Sequence, residues 1–173
     1  RVVATMRKQY IDEDLFAEQL YCLGKYYFDA LIGVEINFST HPIRVLRSLG
    51  YKNLYKPNAR FGSVDTDSEK FGFMTTAITR PIIISNLVSI MRDNVYLETD
   101  RETLMEMSTF IKRSDGKSAA ADGAHDDLVM ASAIARFIAI DYHHNPQIID
   151  NELDFISKNF TQTPLQEENY MEW

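Results

Sequence analysis

The chain has 173 residues, of which 45% are hydrophobic and 25% are charged, and this composition fits a single globular domain. Its one cysteine, Cys22, excludes a disulfide framework and a cysteine-based zinc site, and it favours a reducing cytosol. No apolar stretch approaches the ~20 residues of a membrane helix, so no membrane segment is expected. The sequence starts at Arg1 in the middle of a pattern, which indicates a piece of a longer polypeptide.

The charge is unevenly distributed along the chain. Eighteen basic and 25 acidic side chains give a net charge of −7, which taken alone argues against a nucleic-acid-binding protein. Residues 141–173 hold seven acids and one base, however, so residues 1–140 carry a net charge of only −1. A nearly neutral body with an acidic tail is compatible with a local basic groove.

The first third of the chain predicts alternating strands and helices. β-Branched residues predict a strand over 1–10, and acidic residues followed by apolar residues at helical spacing predict a helix that starts after Asp12. The apolar run 30–37 is too short for a helix and predicts a strand. A second helix is expected over 42–49 and a short strand over 53–56.

The rest of the chain continues this alternation. Residues 57–76 predict a loop or hairpin, and the apolar pattern over 126–141 predicts the strongest helix. The other predicted elements are a helix from Thr79, a strand at 95–98, a helix from Asp100 to Met107, a hairpin of 110–113 and 117–121, and a short helix at 148–160. The last dozen residues are expected to be disordered. Strands that alternate with helices define an α/β fold.

Glu35 is the first candidate for chemistry. Alternation along the predicted strand places Leu31, Gly33, Glu35 and Asn37 on one face and the even-numbered residues on the other. A carboxylate near the C-terminal end of a core strand lies where open α/β sheets bind ligands. The alternative interpretation is a glutamate of an edge strand that faces water.

The second candidate is the run His125-Asp126-Asp127 at the start of the apolar helix. One aspartate there is explained as a helix cap, but two consecutive aspartates repel each other unless a cation lies between them. Carboxylates without cysteine select hard ions, so the pair favours a Mg²⁺ or Mn²⁺ site. His125 is more simply explained as a loop histidine than as a ligand.

The third candidate is the segment from Gly72 to Pro81, which contains Thr75, Thr76 and Arg80. Small hydroxyl residues, a helix start and an arginine are suited to holding a phosphate. A threonine close to proline also caps a helix without any ligand, and for this segment taken alone that explanation is the simpler one.

Taken in order, five runs of the sequence resemble the C-terminal nuclease domain of the large terminase subunit of tailed bacteriophages. These runs are Ile11–Ala17, Gly33–Asn37, Leu49–Tyr55, Thr75–Pro81 and Gly123–Ala131. The resemblance implies an α/β, ribonuclease H-like mixed sheet flanked by helices over residues 1–143, with residues 144–173 as an acidic extension. It also implies a two-metal endonuclease that cuts concatemeric double-stranded viral DNA before and after a capsid is filled.

The resemblance assigns roles to the candidate residues. It implies that Glu35 is the second of three acidic metal positions and that Asp127, or else Asp126, is the third, while His125 tunes the site or contacts the phosphate. The residues implied to contact DNA are Thr75, Thr76 and Arg80. The implied cofactors are two Mg²⁺ or Mn²⁺ ions. The implied partners are double-stranded DNA, an ATPase domain of the same polypeptide, the portal and the small terminase subunit, in the host-cell cytoplasm.

Two features depart from the family pattern. The family's first aspartate lies on a strand expected before Arg1, and Met74 and Ile78 stand where the family tends to have lysines. Without its first two strands the sheet is expected to have unpaired edges, so we expect either an impaired fragment or a sheet completed by another chain. Direct pairing of residues 2–6 with residues 31–36 would refute this assignment.

Two alternatives to the terminase nuclease stay open. One is another ribonuclease H-like nuclease, of the resolvase or transposase type. The other is a docking module of the packaging motor that has no catalytic activity and binds its partners through the acidic tail. A carboxylate-dependent Mn²⁺ signal would separate the nuclease from the docking module.

Overall fold

The computed structural model describes residues 1–57, 71–114 and 116–143. In chain order the described elements are α1 (Glu13–Tyr26), α2 (His41–Ser48), α3 (Thr79–Asn94), a 3₁₀ helix (Val95–Leu97), α4 (Arg101–Ser108), β1 (Phe110–Lys112), β2 (Ser118–Ala120) and α5 (Asp127–His143). These elements lie in one compact unit, Arg1–Ile138, except for the last residues of α5, which belong to a second unit that begins at Ala139. The combination of helices with a small antiparallel sheet is compatible with the predicted α/β class. None of the described helices combines the length and the apolar character needed to cross a membrane.

Helices α1 and α2 form where the sequence predicts them, and they pack against each other. Helix α1 has Glu13 and Asp14 in its first turn and Lys25 in its last, so the side-chain charges complement the helix dipole. Helix α2 has Pro42 in its first turn, where the missing N–H costs no helical hydrogen bond. It ends before Gly50, whose φ of +77° is a conformation that glycine adopts without strain.

Residues 30–36, which we call the central segment because they bridge two other segments, replace the regular strand that the sequence predicts. Single parallel bridges join Ile32 to Leu54 and Glu35 to Phe73. The predicted strand at 53–56 is likewise reduced to the one bridge at Leu54.

The backbone hydrogen bonds of this central segment lie on one edge. Ile32, Val34 and Ile36 exchange hydrogen bonds of 2.8–3.0 Å with the two neighbouring segments. In the described part of the chain, the odd-numbered residues between 31 and 35 make no backbone hydrogen bond, so the opposite edge is open. Residues 2–6 do not fill this edge, because the N–H of Val2 donates to the carbonyl of Leu97.

Side chains alternate between the two faces of the central segment, as the sequence predicts. On one face Ile32, Val34 and Ile36 pack with residues of α1 and α2. On the other face Leu31 packs against a core that α3 and α5 dominate. The buried residues of that second core are Tyr55, Phe73, Ile83, Ile84, Leu87, Val129, Met130, Ala133, Ile134 and Ile138.

Two predicted strands are wrong. Residues 1–8 are extended but belong to no strand, and they are tied down by Val2, which also accepts a hydrogen bond of 2.7 Å from the hydroxyl of Thr99. Residues 95–97, predicted as a strand, form a 3₁₀ helix that continues from α3. Val3 and Val95, at 72% and 60% exposed, lack the buried surface that makes β-branched residues favour strands.

The remaining described elements follow the sequence closely. The predicted hairpin forms with Phe110 paired to Ala120, and the helix before it starts at the predicted cap, Asp100. The carboxylate of Asp100 accepts hydrogen bonds of 2.8 Å from the N–H and the hydroxyl of Thr103, and these bonds lower the pKa of Asp100. Most of the predicted loop 57–76, the predicted helix at 148–160 and the predicted disordered end lie outside the described residues.

Candidate active site

Glu35 lies near the C-terminal end of the central segment, and its side chain is exposed. Its bridge partner Phe73 is buried and packs against the ring of Phe137 on α5, with 5.6 Å between the ring centroids. The backbone of Glu35 is therefore held against the core while its carboxylate points to solvent. This exposure is what the alternative interpretation predicts, a glutamate of an edge strand that faces water, and the ligand-binding role of Glu35 stays a prediction.

Asn37 connects the Glu35 segment to the threonine segment. Its side-chain amide donates to the carbonyl of Thr75 at 2.5 Å, and its side-chain oxygen accepts from the N–H of Thr75 at 2.7 Å. This pair of hydrogen bonds fixes the chain just after Glu35 against the chain just before α3. Asn37 was not among the predicted site residues, although its position two residues after Glu35 on the same face was visible in the sequence.

The two predicted DNA-contacting threonines have different surroundings. The hydroxyl of Thr76 accepts from the N–H of Thr79 at 3.1 Å and from the N–H of Ile78 at 3.2 Å, so it caps α3 as the simpler interpretation predicted. The hydroxyl of Thr75 is buried and has no hydrogen-bond partner among the described residues. One hydroxyl is used to cap the helix and the other is buried, so a phosphate contact at these residues stays a prediction.

Arg80, the third predicted DNA contact, forms an ion pair with Asp126. One guanidinium nitrogen lies 2.9 Å from Oδ2 of Asp126 and also donates to the carbonyl of Ser118 at 3.3 Å. About a third of each side chain remains exposed, 33% for Arg80 and 28% for Asp126. The pair therefore joins the start of α3 to the start of α5, and it neutralises both a predicted DNA contact and a predicted metal ligand.

The start of α5 presents its two aspartates differently. The carbonyl of Asp126 accepts from the N–H of Met130 at 2.9 Å, so Asp126 stands directly before the first turn. Asp127 opens the helix and is exposed, as is His125. Within the described ranges, Asp126 has a guanidinium partner and Asp127 has none.

Glu106 caps α5 from a distance, and sequence analysis missed it. Its Oε2 accepts from the N–H of Leu128 at 2.8 Å and from the N–H of Val129 at 3.4 Å. Its Oε1 lies 3.2 Å from a guanidinium nitrogen of Arg7, in an ion pair that lacks hydrogen-bond geometry. In the sequence, only the spacing of three residues between Thr103 and Glu106 indicated that the two share a face of α4. The structure shows that this face is buried.

The candidate metal ligands are of a suitable type, but too few of them lie together. Carboxylates without cysteine suit Mg²⁺ or Mn²⁺. Among the residues that the structure describes, however, no group of three or more His, Cys, Asp or Glu side chains could hold a metal ion. The two-ion cluster of Glu35, Asp126 and Asp127 therefore stays a prediction.

Comparison with protein-family models finds no match for this chain, and comparison with curated proteins finds none either.

Proposed function

We propose that this chain is the nuclease domain of the large terminase subunit of a tailed bacteriophage. In this proposal it is a metal-dependent endonuclease that acts on double-stranded DNA, and its ATPase domain lies in the same polypeptide. The observation that carries the proposal is a chain of contacts between three segments that resemble the family. Asn37 bonds to Thr75, and Arg80 bonds to Asp126, across 38 and 46 residues of sequence.

These contacts gather the family-like segments at one region of the unit. The Glu35 segment is fixed to the threonine segment, which leads directly into α3, and the first turn of α3 is fixed to the start of α5. Buried residues of α3 and α5 pack in one hydrophobic cluster, which holds these two helices together.

The ion pair also suggests how the two aspartates divide their roles. Arg80 compensates the charge of Asp126, so we assign Asp126 to positioning the start of α5. Asp127 is exposed and has no such partner among the described residues, so we assign it, together with Glu35, as a metal ligand. Two divalent ions supply an activated water and stabilise the leaving oxygen in nucleases of this kind. Because this proposal assigns two such ligands and not three, we expect weak binding of Mn²⁺ and poor DNA cleavage.

The test is a Mn²⁺ titration followed by nuclear magnetic resonance. Paramagnetic broadening is expected for the amide signals near Glu35 and Asp127, and each of the variants Glu35→Gln and Asp127→Asn should weaken Mn²⁺ binding by about tenfold or more. Glu18→Gln, which changes an exposed acid on α1, is the matched control and should leave the titration unchanged.

The opposite result would support the docking module. If broadening is absent, or if it persists in both variants, then Glu35 and Asp127 hold no ion and the nuclease proposal fails. A plasmid-cleavage assay in Mn²⁺ completes the test, since any cleavage by the 173-residue chain should disappear in Glu35→Gln.

A further inference from the structure

The open edge of the central segment carries unpaired backbone groups. Leu31, Gly33 and Glu35 belong to this edge, and within the described residues none of their N–H and C=O groups has a hydrogen-bond partner. Gly33 and Glu35 are exposed, and Leu31 is half-buried. An exposed edge with unpaired donors and acceptors is a template for a further strand. The partner that fits this edge is therefore an extended backbone.

The two most exposed large apolar side chains that the structure describes flank this edge. Phe38 is 100% exposed and Phe28 is 95% exposed. Phe28 lies five residues before Gly33, and Phe38 lies five residues after it. Because Phe28 and Asp29 have φ of +59° and +57°, the extended part begins after Asp29, with Phe28 at its end. The edge thus has one phenylalanine at each end, at equal distances in sequence from Gly33.

This equal spacing makes the edge complementary to itself. When two copies pair antiparallel with Gly33 opposite Gly33, Leu31 of each copy lies opposite Glu35 of the other. These opposed residues exchange about six backbone hydrogen bonds, which satisfy the unpaired groups of both copies. The same register brings Phe28 of each copy to the end of the pairing that holds Phe38 of the other, where an aromatic pair is favourable. The two Glu35 carboxylates do not face each other, so the pairing opposes no like charges directly.

We propose that two copies of this chain form a two-fold symmetric dimer through antiparallel pairing of residues 31–35. Because both copies use the same edge, the assembly closes at two chains. The interface is small, and each copy carries a net charge of −7, so the dimer is weak, with a dissociation constant on the order of 10⁻⁴ M. The proposal does not depend on the nuclease assignment, because the pairing uses backbone groups and apolar side chains and needs no metal ion.

The first test is analytical ultracentrifugation of the 173-residue chain at about 5–500 µM, in EDTA and about 0.15 M NaCl to screen the charge repulsion. The average mass should rise with concentration from that of one chain towards that of two. Phe38→Asp should weaken the association at least tenfold, because it removes an aromatic side chain from each end of the pairing. The matched control is Tyr10→Asp, which adds the same charge at an aromatic residue that is 91% exposed and lies outside residues 28–38. It should change the dissociation constant by less than about twofold, and circular dichroism should show that both variants are folded.

The second test is amide hydrogen exchange, measured by nuclear magnetic resonance at about 50 and 500 µM. With a dissociation constant on the order of 10⁻⁴ M, the unpaired fraction of the chains falls about twofold between these concentrations. Exchange at Leu31, Gly33 and Glu35 should therefore slow by about twofold. Exchange at Ile32 and Ile36 should not change, because their N–H groups are already bonded within the chain.

Several results would overturn the proposal. One is a chain that stays monomeric at 500 µM, and another is an assembly larger than a dimer. Equal weakening by Phe38→Asp and Tyr10→Asp, or a dimer without slower exchange at Leu31, Gly33 and Glu35, would place the contact elsewhere. A monomeric chain in which a peptide of alternating valine and threonine slows exchange at these amides would assign the edge to a different extended chain. Because EDTA is present in the ultracentrifugation and in the exchange samples, these outcomes are independent of the Mn²⁺ titration.

Discussion

Removing the carboxylate of Glu106 should destabilise the whole unit. Its side chain is only 8% exposed, and it accepts hydrogen bonds from Leu128 and Val129 at the start of α5. Glu106→Ala leaves both N–H groups buried without a partner and removes a negative charge from the positive end of a helix. It also leaves Arg7 unpaired, although Arg7 is 39% exposed and regains water.

The size of the effect follows from these contacts. A hydrogen bond to a charged group contributes about 1.5–3 kcal/mol, and the charge at a helix start contributes about 0.3–1 kcal/mol. The bond of 2.8 Å to Leu128 is the stronger one, and the bond of 3.4 Å to Val129 is weak, so we count mainly the first. We expect Glu106→Ala to lower the free energy of unfolding by about 3 kcal/mol. Glu106→Gln keeps a neutral acceptor for Leu128 and should cost about half as much.

The assay is urea denaturation followed by far-ultraviolet circular dichroism, with Glu102→Ala on the exposed side of α4 as the control. The control should change the free energy of unfolding by no more than about 0.5 kcal/mol. Amide hydrogen exchange at Leu128 and Val129 should accelerate in Glu106→Ala alone. A loss below about 1 kcal/mol for Glu106→Ala, or equal losses for the alanine and glutamine variants, would refute the assignment of Glu106 as the cap of α5.

Two further predictions concern the packing around α2. Gly72→Ala should cost about 3 kcal/mol in the free energy of unfolding, because φ is +99° and the new Cβ would lie 2.9 Å from the carbonyl oxygen of Val34. Gly50→Ala is its control, with φ of +77° and nothing within 4 Å, so only about 1 kcal/mol of backbone strain is expected from urea denaturation. Burial raises the pKa of Tyr51 to about 12, and its hydroxyl donates to the carbonyl of Ala30. The unfolded phenol ionises first, so stability should fall between about pH 10 and 12, and absorbance at 295 nm should show a late phase that is lost in Tyr51→Phe.

The parts of the fold that the sequence predicted well have local causes. Helix α1 is specified by acidic residues before a regular apolar pattern, and the cap of α4 by Asp100 followed by Thr103. The hairpin of β1 and β2 is specified by a turn segment between two short runs. The strands over 1–10 and 95–98 were wrong because β propensity describes a fit to a buried, paired surface, and a sequence does not show whether a partner is present.

The candidate site was predictable only where it is local. The capping role of Thr76 follows from its distance to Thr79 and was visible in the sequence. The Arg80–Asp126 pair spans 46 residues, and the role of Glu106 on α5 spans 22, so neither was accessible from spacing. Both contacts join elements that are far apart in the sequence, and only the arrangement of α3, α4 and α5 determines them.

The Arg80–Asp126 ion pair weakens the inference of a metal ion from the two adjacent aspartates. Two adjacent aspartates repel each other unless a cation lies nearby, and the sequence predicted that this cation is Mg²⁺ or Mn²⁺. The structure supplies a cation for Asp126 from the protein itself, so the repulsion between Asp126 and Asp127 no longer requires a metal ion. The proposal is therefore narrower: Asp127 and Glu35 bind the metal ion, while the carboxylate of Asp126 is occupied by its ion pair with Arg80.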